Sequence, residues 1–113
     1  MRPVHKILSA RAWTDAQAAG LYEGSDLDRA DGFIHLSADD QLHETARRHF
    51  AGRDDLTILT LDADHPPLKA LIRWKPSRGG ALFPHIHGVM RTEWVLSARA
   101  ASVDGDGVLR IAA

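Results

Sequence analysis

The sequence predicts an α+β fold: a small split sheet of mixed or mostly antiparallel strands, with two helices in the N-terminal half. Three observations predict it. Helical spacing lies early in the chain and strand patterning late, without the regular strand-helix alternation of a doubly wound parallel sheet. The run Leu56 to Leu61 is apolar and β-branched, as a central strand should be. The stretch Asp31-Gly32-Phe33-Ile34-His35-Leu36-Ser37 places a short apolar run directly behind an Asp-Gly turn signal, which again reads as a strand.

In chain order, Val4 to Leu8 reads as the first strand, with Pro3 restricting its start to an edge or end position. Ser9 is placed to cap a helix in which Ala10, Trp13 and Ala16 recur at helical spacing and which Gly20 terminates. Leu21 to Asp31 is polar and reads as a loop. It carries Tyr22, the single tyrosine, either as an anchor on the core or as a stacking surface for a ligand. Ser37 to Phe50 is the clearest helix, with Ser37 as N-cap, Asp40 as capping-box partner, and Leu42, Ala46 and Phe50 as its apolar stripe. Arg47, Arg48 and His49 complement the dipole at its end, before Gly52. Asp39 and Asp40 make its start a poor cradle for phosphate.

After the strand Leu56 to Leu61 and a turn from Asp62 to Pro67, Leu71 to Trp74 reads as a short strand closed by Pro76. Ser77-Arg78-Gly79-Gly80 reads as a glycine-rich loop. Glu93 to Ala100 and Val108 to Ile111 supply the last strands, the second after an Asp-Gly-Asp-Gly turn.

A chain of 113 residues fits one domain, 1–113, with a single core. The absence of cysteine removes disulfides, thiolate nucleophiles and thiolate metal sites, and fits a cytoplasmic protein. The basic, proline-bearing N-terminus lacks a signal-peptide core, and no run is long enough to span a membrane. A formal net charge of -1 argues against general nucleic-acid binding. Between Leu68 and Arg99, however, six basic residues face Glu93 alone, so that half can hold a small anionic ligand or simply present a solvated basic face.

Four sets of residues could carry chemistry. His35 and Ser37 alternate onto one face of the central strand together with Phe33, as either a catalytic pair or hydrogen-bonded core residues. In the Ser77-Arg78-Gly79-Gly80 loop, the glycines admit close backbone approach and Arg78 offers a planar fork to phosphate or carboxylate; the same glycines could equally serve a turn. His85 and His87 share a face if the segment is extended, and with His35 they would make a three-histidine set for a metal-dependent hydrolase. His35-Leu36-Ser37 also matches half of a two-histidine phosphoesterase, but His85-Ile86-His87 lacks the hydroxyl of the second half.

The motifs at 31–37 and 77–88, with the Trp13 helix, the segment from Gly20 to Ser25 and the helix through Phe50, resemble the bacterial family known as domain of unknown function 952. That resemblance implies a fold like the ADP-ribosyltransferases and the tRNA 2′-phosphotransferases, which bind a nicotinamide dinucleotide (NAD) in the cleft of a split mixed sheet. It further implies His35 in the cleft with Ser37 beside it, and Arg78 and His85 on the opposite wall. Transferases of that kind often use a late glutamate, for which Glu93 is the nearest analogue, with His5 or Lys6 on the first strand. Three functions are therefore expected to compete. The first is an ADP-ribosyltransferase-like enzyme acting on NAD or a phosphorylated ribose compound, with His35, Ser37 and His85 catalytic and Arg78, Gly79, Gly80 and Tyr22 holding the cofactor. The others are a binding module for a nucleotide or small anion, and the His-ligated hydrolase.

Overall fold

The computed structural model describes residues 1–77 and 79–113. The chain runs β1 (Pro3–Ser9), α1 (Ala10–Ala19), β2 (Leu21–Tyr22), α2 (Asp26–Asp31), β3 (Ile34–His35), β4 (Ser37–Ala38) and α3 (Leu42–Phe50). It continues through β5 (Leu56–Asp62), α4 (Pro66–Lys69), β6 (Ile72–Ser77), β7 (Ala81–Ile86) and β8 (Met90–Arg91). A 3-10 turn at Thr92–Trp94 leads into β9 (Val95–Val103) and β10 (Leu109–Ile111). The α+β class holds, and every strand pairing among the described residues is antiparallel.

The largest sheet has the order β10-β9-β5-β1-β4. β1 lies inside it, paired with β5 from Pro3 opposite Asp62 to Ser9 opposite Leu56, so Pro3 occupies a strand end, where a missing N–H costs least. Residues directly opposite share a face. Ile7 and Ile58 therefore turn to one core, with Leu42 and Ala46 of α3. Val4 and Leu61 turn to the other, with Ala16, Ile34, Ile72 and Ile86. Burial on both faces explains why β5 is nearly continuous in apolar residues.

Local chemistry sets the helix ends. Ser9 Oγ accepts the Ala12 N–H at 3.0 Å and so caps α1, whose last turn is closed by the Gly20 N–H on Ala16 O. Two expectations need correction. The segment expected as a loop contains α2, nucleated by a capping box in which Ser25 Oγ accepts the Asp28 N–H and Asp28 Oδ2 accepts the Ser25 N–H. The helix expected from Ser37 starts only at Leu42, because Ser37 and Ala38 are drawn into β4 opposite His5 and Val4. Among the described residues there are thus three helices in the first half, rather than two, and the short α4 later.

The sheet splits at one residue. β3 pairs with β7 and β4 with β1, and Leu36 between them donates its N–H to Pro84 O at 3.0 Å. Beyond His5, the β4-side edge of β1 has no strand partner among the described residues. A second sheet, β3-β7-β6, diverges from the first there. The strand expected to close at Pro76 continues to Ser77, which pairs with Ala81 and accepts the Gly80 N–H on its carbonyl. Gly79 and Gly80 have φ of 73° and 95°, which glycine adopts without strain.

Candidate functional site: a histidine-lined cleft at the sheet split

A cavity of about 570 Å³ opens where β1 loses its partner. His5 and Lys6 of β1, Tyr22, Asp28 of α2, His35, Ser37, and Phe83 and His85 of β7 are among its lining residues. Alternation explains the far wall. Ile34, Ile72, Trp74 and Ile86 pack on the core, so His35, His85 and Phe83 lie on the opposite side of the β3-β7-β6 sheet.

Asp28 organises the near wall. Its side chain is 2% exposed, and it is supplied with donors on both oxygens. Oδ2 accepts from Lys6 Nζ at 2.8 Å and from the Ser25 N–H at 2.9 Å. Oδ1 accepts the His35 N–H at 3.1 Å and pairs with His35 Nδ1 at 2.5 Å. Burial alone would raise the Asp28 carboxyl, but the Lys6 ammonium and the hydrogen bonds from Lys6, His35 and Ser25 outweigh it and hold the group below its ordinary value. Lys6 also donates to His35 O at 3.1 Å, tying the first strand to the histidine-bearing one.

The His35 ring is gripped from both ends, since its Nε2 lies 3.0 Å from Asp31 Oδ2. A second imidazole, His5, is held between Thr60 Oγ1 at 3.0 Å on Nδ1 and Asp39 Oδ1 at 2.5 Å on Nε2. His85 differs. It is 6% exposed, stacks on Phe33 with ring centroids 4.1 Å apart, and its buried Nδ1 has no partner among the described residues. Burial first, then His35, His87 and Lys75, push its imidazole down to about 4, with Asp31 opposing, so the ring is neutral at physiological pH.

The structure brings His35, Ser37, His85 and Tyr22 to one cavity, but not all in the expected roles. Ser37 is buried and its hydroxyl donates to Thr45 Oγ1 at 3.1 Å, which corrects its reading as a helix cap. Tyr22 is a core residue of β2 opposite Met90; burial, with Asp28 adding to it, pushes its phenol upward. Gly79 and Gly80 form the hairpin turn and do not line the cavity. Arg78 lies outside the described residues. Glu93 is exposed, paired with Arg91 at 3.1 Å and away from the cavity. Among the described residues, no three His, Cys, Asp or Glu side chains converge to hold a metal ion. Sequence reasoning missed Asp28, and reached Lys6 only as one of two first-strand analogues implied by the family resemblance. The Ser25 to Asp28 spacing was the available signal, since a capping box predicts α2 and hence the direction of Asp28.

A model of the family described as protein of unknown function (DUF952) matches residues 7–98. The chain belongs to that family. No curated protein matches the chain. Among solved structures, this DUF952 chain is similar to the crystal structure of protein CC0527 from Caulobacter crescentus. The two are 42% identical, with 96% of this chain and 93% of that one covered and a TM-score of 0.89. The solution NMR structure of CC0527 matches at 44% identity over 96% of this chain and 91% of that one, with a TM-score of 0.82. Among the described residues of this DUF952 member, no helix is long and apolar enough to cross a membrane.

Proposed function

We propose that the chain is an ADP-ribosyltransferase-like enzyme whose cleft takes NAD or another phosphorylated ribose compound. One observation carries the reading: an imidazole, His35, is fixed by the buried Asp28 on the wall of a cavity that opens at the split of the sheet. Breaking a nicotinamide–ribose bond passes through an oxocarbenium-like state, and the site's work is to pin the ribose while a nucleophile, water or an acceptor hydroxyl, bonds to the anomeric carbon as nicotinamide leaves. A ring locked by Asp28 presents its Nε2 to an oxygen of the ligand in one orientation without losing rotamer freedom on binding. His85, neutral and buried next to it, walls the site without adding a charge. Incubation with NAD in water, with and without added small alcohols as acceptors, followed by chromatography, tests the reading: free nicotinamide with ADP-ribose or its glycoside is the expected product, and intact dinucleotide in every mixture contradicts turnover.

A second reading, a binding module that does not turn its ligand over, is favoured by the position of Glu93. No glutamate lines the cavity among the described residues, so the residue that often orients a nucleophile in such transferases is lacking. Saturable NAD binding without nicotinamide release supports this reading over the first.

A further inference from the structure

The pairing register aligns two imidazoles and a guanidinium across the second sheet. His35 lies opposite His85, and His85 opposite Arg73, which puts the three in one row on one face. The next row on that face is Lys75 opposite Phe83. Phe33 stacks on His85 and brings the His87 ring to 5.3 Å of its own. Two carboxylates meet this group at His35: the buried Asp28 on Nδ1 at 2.5 Å, and Asp31, whose Oδ2 is 3.0 Å from Nε2.

Asp31 is unlike Asp28. Its side chain is 43% exposed, and it sits on the last residue of α2, directly before the Gly32 cap. Nothing buries it in place, so rotation about its side-chain torsions uncovers His35 Nε2 at little cost. An oxygen anion demonstrably fits against that nitrogen, and the one present belongs to the chain itself.

We propose that this face is an oxyanion platform for a phosphate group, formed by His35, Arg73 and Lys75, and that Asp31 occupies it as a resident stand-in until the ligand displaces it. The assignment gives a place to the phosphate of the ligand class proposed above and rests on that reading for the remainder of the ligand. Arg73 spends one guanidinium nitrogen on Ala70 O and Ile72 O, which fixes its stem and leaves the rest of the fork for the anion. His85 contributes a neutral wall, since a stacked and buried ring adds no competing positive charge to desolvate.

Inorganic phosphate is the probe, so the outcome does not depend on NAD binding. The full chain and its Asp31→Ala and Asp31→Asn variants are titrated by calorimetry and by histidine ring NMR, with ribose as the neutral control and melting temperature as the check on folding. The account expects phosphate to bind Asp31→Ala at least about tenfold tighter than the parent, to shift the His35 ring resonances, and to lose that gain when Arg73→Gln is added. Equal affinity of the parent and both Asp31 variants overturns the platform, as does a gain that survives Arg73→Gln together with His35→Gln. If the platform holds and NAD fails to bind, it is the preceding functional reading that falls.

Discussion

Lys6 and Asp28 form an ion pair 2.8 Å long inside the domain, with side chains 8% and 2% exposed, and the pair fixes His35 at the mouth of the cleft. Removing one member of such a pair leaves the other charge buried without compensation. Asp28→Asn is therefore expected to cost about 3–5 kcal/mol. Adding Lys6→Met removes the stranded ammonium and should return a good part of that loss. Urea unfolding of the two single variants and the double variant measures the coupling; additive losses would contradict it.

The acid response has two contributions with the same sign. Asp28 is held below its ordinary value, so its stabilising effect is complete above the unfolded carboxyl's pKa of about 4 and is lost as pH falls through the lower folded value. His85 is held down to about 4 against roughly 6.5 unfolded. Protons therefore favour the unfolded chain from about pH 6.5 downward, and the loss from this group is complete near its folded value. His85→Phe keeps the stacked ring and should flatten stability between those limits. An NMR titration in which the parent His85 ring protonates near its ordinary value contradicts the assignment.

Ser37, expected as an N-cap, lies in β4, and Ser25, in a segment expected as a loop, is the residue that caps a helix. Ser37→Ala should cost about 1 kcal/mol through the lost hydrogen bond to Thr45 and leave helix content unchanged. Ser25→Ala breaks a capping box, costs about 0.5–2 kcal/mol, and loosens Asp28 as well. Circular dichroism with thermal melts separates the two; loss of helix in Ser37→Ala would restore it as the cap of α3.

Gly24 allows α2 to approach closely. A Cβ there would sit 2.7 Å from Asp28 Cβ, on a backbone with φ of 107°. Gly24→Ala should destabilise by more than about 1 kcal/mol and also shift the His35 ring resonances, because the atom it strikes belongs to the residue that holds the ring. A stable variant with unshifted resonances contradicts that placement.

The α+β class, the Leu56 strand, the Ser9 cap and the Gly20 stop were legible because each rests on local chemistry. The start of α3 was not: local propensity favours a helix from Ser37, and only the long-range pairing with His5 and Val4 overrides it. Period-two alternation put His35 and Ser37 on one face, but the chain changes sheets at Leu36, and the two reach the same cavity from different strands. His85 could be recognised as company for His35, whereas Asp28 was hidden in a segment whose aspartates read as loop. Glycines 79 and 80 show the limit of motif reading, since a phosphate loop and a tight hairpin use the same residues.

The central claim is that His35, oriented by Asp28, holds a phosphorylated ribose compound in the cleft. Calorimetric titration of NAD into the parent chain and into His35→Ala, both with native melting behaviour, tests it most directly. The account predicts saturable binding to the parent and at least about tenfold weaker binding to the variant, a loss of roughly 1.4 kcal/mol or more. Equal affinity in the two proteins, or no binding to the parent at all, would contradict it.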